Sequence, residues 1–209
     1  MKGQFFPYHD ENPRKRFPVV NTAIIIANII VFIWSLTNFE AIIETFGFRP
    51  AELAMVTIFT SMFLHGGIDH IFGNMWFLFI YGDNVEDRFG KVKYLLFYLL
   101  AGVAATLTHY ATNLGSDIPA IGASGAISGV LGAYIAMFPH VHVRVASMYG
   151  GFRVPAWALI GFWFLLQLLF GTISFFGDRG SGIAFWAHIG GFAFGFVATR
   201  AAMAVRGSL

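Results

Sequence analysis

Charged residues leave six long stretches of this chain almost uninterrupted, and this pattern limits what the chain can fold into. Only 11% of the 209 residues are charged, whereas 57% are hydrophobic and the mean hydropathy is +0.68. A soluble domain carries about 25% charged residues, and a membrane helix needs about 20 mainly apolar residues. The sequence therefore predicts an all-α membrane protein, a polytopic bundle of six transmembrane helices. They fall at residues 17–36, 71–81 with polar extensions at both ends, 94–111, 121–138, 155–176 and 182–205.

The positions of lysine and arginine predict the orientation of this bundle. With the N-terminus inside, eleven of these residues lie on the inner side, namely Lys2, Arg14, Lys15, Arg16, Arg88, Lys91, Lys93, Arg144, Arg153, Arg200 and Arg206. Only Arg49 and Arg179 lie outside. Because cytoplasmic loops are enriched in Lys and Arg, we expect both termini in the cytoplasm. Residues 1–16 would form a short cytoplasmic tail, and residues 17–209 one membrane domain.

Composition also excludes several classes of function. The chain has no cysteine, which excludes a thiolate nucleophile, a disulfide and a zinc–thiolate site. Its net charge of +2 gives no indication of a nucleic-acid partner.

Two connections have patterns of their own. Residues 37–67 are half apolar, which favours short helices lying in the membrane interface. Between residues 141 and 154, valines alternate with polar residues and flank a Gly150-Gly151 pair. This alternation favours a small cytoplasmic β-hairpin, and an irregular interfacial loop is an equally good interpretation.

Small residues predict which helices pack together. Ten of the seventeen residues from 122 to 138 are Gly, Ala or Ser, and Gly125 and Gly129 lie one turn apart. In the sixth helix His188 shares one face with Gly191 and Gly195. Since small residues allow helices to approach closely in membranes, we expect the fourth helix to pack on the sixth, with His188 at the contact.

Four polar side chains stand at one depth in this topology. His70, Asn74, Ser124 and His188 each lie near the outer end of a helix, roughly 5–15 Å below the outer surface at 1.5 Å per residue. Taken singly, Ser124 is best interpreted as a packing residue and His188 as a satisfied core histidine. Intramembrane polar residues usually face a bundle interior or a water-filled cavity. Their common depth therefore favours one shared site.

The chemistry that these groups permit is acyl transfer. The hydroxyl of Ser124 can act as a nucleophile if His188 takes its proton and later returns it to the leaving group. His70, Asn74 and the backbone N–H groups of Ala123 and Ser124 can stabilise the oxyanion. Because no carboxylate lies at this depth, the sequence predicts a Ser–His dyad rather than a triad.

These residues carry a resemblance to a known family. The chain resembles the rhomboid intramembrane serine proteases of the minimal six-helix bacterial form. The resemblance implies a location in a bacterial inner membrane. The resemblance implies that Ser124 is the nucleophile, that His188 is the general base, and that no metal or cofactor is needed. It also implies that the substrates are membrane-anchored proteins cut in or near their spanning helix. The matching motifs are His70-xxx-Asn74, Glu86-x-Arg88-x-Gly90, Gly122-x-Ser124-Gly125 and Ala187-His188 followed by Gly191 and Gly195.

Four positions refine this resemblance. Many members have a tyrosine four residues after the serine, stacked on the base, where this chain has Ser128. Ser128 could form a hydrogen bond with His188 but could not stack on it. The first outer loop has a lone Arg49 in place of the adjacent Trp-Arg pair of many relatives. We expect Glu86 and Arg88 to form a structural ion pair and helix cap at the inner end.

Two other functions were compared with proteolysis. A catalytically inactive rhomboid-like scaffold that binds client transmembrane helices typically loses the serine or the histidine, and both are present here. A small transporter or channel would need ionisable residues through the membrane midplane. The fifth helix offers only Gln167, and the fourth offers none below Ser128.

Overall fold

The computed structural model describes residues 6–148, 150–176 and 183–206. In the described ranges the chain forms three strands and eight α-helices, with a short 3-10 turn at Ser61–Phe63. In chain order they are β1 (Phe6–Asp10), α1 (Val19–Ser35), α2 (Phe39–Phe46), α3 (Met55–Thr60), α4 (Ile68–Phe89), α5 (Lys91–Thr112), α6 (Ser124–Met137), β2 (His142–Ser147), β3 (Gly150–Pro155), α7 (Ala156–Phe176) and α8 (Phe185–Arg206).

Six of these helices occupy the six apolar stretches of the sequence. Helices α5, α7 and α8 are long and apolar enough to cross a membrane, whereas α1 and α6 are shorter apolar helices. Helix α4 has 22 residues and carries charged residues near both ends. The predicted class, an all-α membrane bundle, is confirmed, and the count of six spans stays a prediction. Lys2, Arg179 and the predicted start of the sixth helix at Gly182 lie outside the described residues.

Helix α6 lies at the centre of the bundle. It packs against α4, α5 and α8, and eleven of its 14 residues are buried. Its contact with α8 is backbone to backbone. A Cβ atom on Gly191 would collide with the carbonyl oxygen of Gly125, and one on Gly195 would collide with that of Gly129. The predicted packing of the fourth helix on the sixth is confirmed.

Helix α7 lies at the periphery and is held mainly by α8. Only four of its 21 residues are buried, namely Ala156, Ile160, Gln167 and Gly171. Most of its large apolar side chains point outward, as they would toward lipid. Gln167 is thus a polar side chain on the one narrow face that this helix buries.

The predicted hairpin is present, and it belongs to a larger sheet. Strands β2 and β3 pair antiparallel, and β1 pairs antiparallel with the other edge of β2. Strand β1 runs along α4, where the Pro7 carbonyl accepts a hydrogen bond from Trp76 Nε1 at 2.7 Å. The sequence predicted only a polar tail for residues 1–16. That description was incomplete, because the strand depends on partners more than 130 residues away, which local patterns do not reveal.

A buried carboxylate joins this sheet to the centre of the bundle. Asp10 Oδ2 accepts hydrogen bonds from Tyr134 Oη at 2.6 Å and from Asn84 Nδ2 at 3.0 Å. Burial raises the pKa of Asp10 to about 6. The neighbouring Glu11 behaves in the opposite way, since hydrogen bonds from Arg144 and Arg153 lower its pKa. The sheet is therefore fastened to α4 and α6 by one buried acid and braced on its surface by another.

The Glu86/Arg88 pair is half as predicted. The Glu86 carboxylate accepts the backbone N–H groups of Val20 at 3.1 Å and Asn21 at 2.7 Å, which caps the N-terminus of α1. The predicted ion pair is wrong, because the Arg88 guanidinium lies over the Phe138 ring, 5.6 Å from its centroid. Glu86 is buried and uses its oxygens for the cap, whereas Arg88 finds an aromatic face instead.

The long outer connection contains two short helices, α2 and α3, as its composition predicted. The lone Arg49 anchors it, donating hydrogen bonds to the carbonyl oxygens of Glu44 at 2.7 Å and Asp117 at 3.1 Å. A two-way backbone bridge between Phe48 and Ala120 adds a second attachment. These contacts hold the loop of residues 113–123, which leads directly to Ser124. The predicted position of this connection in the membrane interface stays a prediction.

Candidate active site

The loop before α6 places Ser124 at the first position of that helix. Gly122 has a φ of +126°, a conformation that favours glycine, and its N–H donates to the carbonyl of Ser61 at 2.9 Å. A Cβ atom on Gly122 would lie 2.9 Å from His70 Nε2 and 3.6 Å from Ser124 Oγ. The missing side chain therefore makes the room in which His70 approaches Ser124.

His188 comes to Ser124 from the opposite helix. Its Nε2 lies 2.8 Å from Ser124 Oγ, a hydrogen-bonding distance, although 64 residues separate the two in sequence. The backbone contact between α6 and α8 makes this short separation possible. The structure therefore joins the two residues that the sequence proposed as nucleophile and base.

Two side chains of helix α7 contact the His188 ring. Gln167 Oε1 lies 2.8 Å from His188 Nδ1, and the Trp163 ring packs beside the imidazole with its centroid 6.0 Å away. Ser128, which could have bonded to His188, donates its hydroxyl to the Ser124 carbonyl at 2.6 Å instead. A helical serine commonly satisfies its hydroxyl in this way, on the carbonyl one turn earlier.

The sequence identifies Gln167 as a polar residue of the fifth helix but predicts no contact between it and His188. The usable signal was the spacing of Trp163 and Gln167, which lie four residues apart and therefore share one face of the predicted fifth helix. Gln167 was also the one polar side chain in an otherwise apolar stretch of that helix.

The predicted oxyanion donors converge on the same place. The Gly66 N–H donates to His70 Nδ1 at 3.2 Å, so the proton of a neutral His70 ring is on Nε2, the nitrogen that lies beside Gly122. Asn74 is buried below His70 and donates one amide hydrogen to the His70 carbonyl at 2.8 Å, which leaves its second amide hydrogen available.

Backbone donors lie at the same point. Because α6 begins at Ser124, the N–H groups of Ala123 and Ser124 have no acceptor within the helix. The four predicted residues, His70, Asn74, Ser124 and His188, all line one crevice of about 560 Å³. A smaller cavity of about 40 Å³ adjoins Ser124 and is lined by Ser61 and His109, with room for a few water molecules at about 10–15 Å³ each.

The residues at this site suit proton transfer better than metal binding. In the described ranges, no three His, Asp or Glu side chains lie close enough together to hold a metal ion. The crevice is mainly apolar, with Phe77, Leu131 and Trp163 among its lining residues. An extended peptide with small side chains could contact these walls while one carbonyl faces Ser124.

Comparisons with known proteins place the chain in one family. A family model described as the Rhomboid domain matches residues 52–204. The chain is 32% identical over 129 residues to the presenilin-associated rhomboid-like protein, mitochondrial, of Bos taurus, covering 59% of this chain and 34% of that protein. It is 30% identical over 141 residues to RHOMBOID-like protein 6, mitochondrial, of Arabidopsis thaliana, covering 66% and 41%.

A further relative is named as inactive. Inactive RHOMBOID-like protein 8 of Arabidopsis thaliana is 29% identical over 135 residues, covering 65% of this chain and 34% of that protein. The matches thus span about a third to two fifths of the length of these curated relatives.

Proposed function

Given that the chain belongs to the rhomboid family of membrane proteins, we propose that it is an intramembrane serine endopeptidase. It would cleave membrane-anchored proteins in or near their transmembrane segment. The observation that carries this proposal is the 2.8 Å separation of Ser124 Oγ and His188 Nε2 within a crevice that His70 and Asn74 also line. Nucleophile, base and anion donors are the complete set that acyl transfer requires.

The first half of the reaction uses both sides of the dyad. His188 Nε2 takes the Ser124 proton as Oγ bonds to the substrate carbonyl carbon, and the carbonyl oxygen becomes an oxyanion. Nε2–H of His70, the Asn74 amide and the N–H groups at the start of α6 stabilise that charge. His188 then gives the proton to the leaving amine as the C–N bond breaks, which leaves an acyl-enzyme ester on Ser124.

The second half repeats these roles with water. His188 Nε2 takes a proton from a water molecule while the water oxygen bonds to the acyl carbon. The second oxyanion is held by the same donors, and the Ser124 oxygen leaves with the proton from His188. The cavity beside Ser61 and His109 supports this step, because it offers space for water next to the ester.

The shape of the site also bears on the substrate. A peptide carbonyl inside an α-helix is covered by its own hydrogen bond, so a spanning helix must unwind locally before it reaches Ser124. We therefore expect cleavage near small residues, with Gly or Pro close by to weaken the helix. The partners would be membrane-anchored proteins in the same bilayer, and a bacterial inner membrane with cytoplasmic termini remains part of the proposal. The word mitochondrial in the names of two relatives describes those proteins.

The alternative is a rhomboid-like scaffold that binds client helices without cleaving them. One relative is named inactive, which keeps this alternative open. The hydrogen-bonding distance between Ser124 and His188 favours catalysis, because helix binding alone requires no nucleophile and base in contact.

Labelling and cleavage by matched serine variants would separate the two functions. In detergent micelles or proteoliposomes, we expect a fluorophosphonate probe to label the wild-type protein, and Ser124→Ala and His188→Ala to abolish both labelling and cleavage of a model membrane substrate. Ser128→Ala is the matched control, one turn along the same helix, and should be labelled like the wild type. Full cleavage by Ser124→Ala, or an unlabelled wild-type protein, would contradict the proposed protease.

A further inference from the structure

We propose that Gln167 is the positioning residue of the base: its side-chain carbonyl accepts Nδ1–H of His188 and thereby selects the tautomer that can take the proton of Ser124. The inference rests on the proposed protease function. It assigns to α7 a role in orienting the base, which neither the family match nor the sequence motifs give it.

The proton count on the imidazole ring carries this inference. A neutral histidine has one N–H and one bare nitrogen, and only the bare nitrogen can accept a proton. Ser124 Oγ lies 2.8 Å from Nε2, and Gln167 Oε1 lies 2.8 Å from Nδ1. Since an amide oxygen only accepts, it pairs with Nδ1–H, and Nε2 is then left bare toward the nucleophile. The opposite tautomer would place a proton between Nε2 and the serine hydroxyl and disable the base.

The surroundings of His188 explain why this task falls to Gln167. The Ser128 hydroxyl donates to a carbonyl of its own helix. Trp163 packs beside the His188 ring but has no acceptor atom for Nδ1–H. Gln167 is buried, and it is the polar residue on the narrow face by which α7 contacts the bundle. An intramembrane polar side chain is costly unless it is paired, and its pair here is the base.

An amide also suits the charge that develops during the reaction. When His188 takes the proton it becomes an imidazolium, and the carbonyl dipole of Gln167 stabilises the new charge at Nδ1–H. A carboxylate at the same place would stabilise it more strongly but would itself be a charge held in a low-dielectric site. The neutral acceptor fixes the tautomer without adding that charge.

Two variants of similar size distinguish positioning from packing. Gln167→Met fills the same volume without a comparable acceptor, and Gln167→Glu keeps an acceptor oxygen. We expect Gln167→Met to lower kcat about ten- to a hundredfold, the effect of losing one orienting hydrogen bond in the transition state, with KM little changed and only the small loss of thermal stability that one hydrogen bond gives. Gln167→Glu should retain much more activity, and the acidic limb of its pH–rate profile should move to higher pH, because a carboxylate stabilises the imidazolium.

The result that overturns the inference is equally specific. A wild-type kcat in Gln167→Met would overturn it. So would an equal loss of kcat in both variants, if that loss follows their loss of thermal stability and the pH–rate profile of Gln167→Glu does not move. Either pattern would make Gln167 a residue that merely packs α7 on α8.

A measurement without catalysis separates this inference from the proposed function. In protein with ¹⁵N-labelled histidine, two-bond nitrogen–proton spectra report which imidazole nitrogen carries the proton. The proton of His188 should be on Nδ1 in the wild type and should redistribute toward Nε2 in Gln167→Met. An unchanged tautomer in Gln167→Met would overturn the inference. Cleavage that survives Ser124→Ala would instead overturn the proposed protease function, and the tautomer measurement would remain valid.

Discussion

His188 lies between two helices that the protein holds in opposite ways. Toward α6, its own helix is fixed by touching backbones, with Gly191 against the carbonyl of Gly125. Toward the periphery it meets α7, of which only four residues are buried. The distance between Ser124 and His188 is thus set by the α6–α8 contact, the most extensive helix contact in the bundle. The Nδ1 side of the His188 ring, in contrast, meets Gln167 of a helix with few buried residues.

The physical reason for this difference is the solvent around each helix. Apolar side chains of α7 that face lipid gain little by moving into protein, since lipid tails are equally apolar. Association with α8 then depends on close packing and on a few polar contacts. Two are visible, the Gln167–His188 pair and the hydrogen bond from Trp186 Nε1 to the Gly171 carbonyl at 3.0 Å. Helix α6 also has polar contacts, such as Ser124–His188 and Tyr134–Asp10, but its small residues let the neighbouring helices pack closely around it.

The largest effect should come from adding one methyl group at the central contact. Gly191→Ala places a Cβ atom against the backbone of α6, which cannot move aside as a side chain could. We expect a loss of stability of more than about 2 kcal/mol, with loss of fluorophosphonate labelling as Ser124 and His188 separate. Thermal unfolding in micelles and the labelling yield measure both. A fully stable, fully labelled Gly191→Ala protein would show that the α6–α8 contact is not the rigid part of the molecule.

The next effect is a pH dependence at the inner end of α6, where Asp10 accepts from Tyr134. The pKa of Asp10 is raised from 3.8 to about 6, so the folded state holds this proton more tightly than the unfolded chain does. Stability should therefore fall as the pH rises from about 4 to about 6, by up to about 3 kcal/mol, and stay level above that range. Denaturation midpoints at several pH values would measure the fall.

Asp10→Asn is the matched variant for that titration. It keeps an oxygen that can accept from both Tyr134 and Asn84 and removes the carboxyl group that titrates. Subtracting its profile also removes the contribution of Glu11, whose lowered pKa acts in the opposite direction and below pH 4.5. If the two profiles run parallel from pH 4 to pH 7, Asp10 is not the titrating link.

A smaller effect should follow from loosening α7 on purpose. Trp186→Phe removes the N–H that binds the Gly171 carbonyl and keeps most of the aromatic contact. We expect a loss of about 0.5–1.5 kcal/mol, the net value of one hydrogen bond, with the Ser124–His188 contact intact. Hydrogen exchange should quicken in α7 and stay unchanged in α6. Equal quickening in both helices would mean that they are not held independently.

The smallest effect should be a gain. A Cβ atom on Gly161 of α7 would meet open space, and alanine favours a helix over glycine by up to about 1 kcal/mol. Gly161→Ala is therefore the counterpart of Gly191→Ala, the same chemical change on the loosely held helix. We expect a slightly higher unfolding temperature and unchanged labelling, and a clear destabilisation would show that α7 is packed more tightly than its exposure indicates.

The helices and the predicted site residues could be found from the sequence because each depends on local or periodic information. Apolar stretches placed the helices, glycine spacing paired α6 with α8, and depth brought Ser124 and His188 to one level. The sequence placed the start of α6 near residue 121, whereas the helix begins at Ser124, since the positive φ of Gly122 interrupts it. Apolar composition does not reveal such a turn.

The remaining features depend on long-range partners. Strand β1 exists only because β2 and Trp76 meet it, and nothing in residues 6–10 predicts those contacts. Ser128 lies four residues from Ser124, so the sequence alone places it near the site. Gln167 contacts His188 only across the α7–α8 packing, which the sequence does not reveal. In the sequence the Ser128 hydroxyl is available to His188, but in the fold it already donates to a carbonyl of its own helix.

The short length of α6 has a consequence for membranes of different thickness. Fourteen residues span about 21 Å, less than the hydrocarbon core of about 30 Å, and the protein around α6 shields it from lipid. Hydrophobic mismatch therefore acts by tilting the outer helices, α7 among them, and not by stretching α6. We therefore expect a thinner or thicker bilayer to leave the Ser124–His188 separation almost constant and to change the Gln167–His188 contact first.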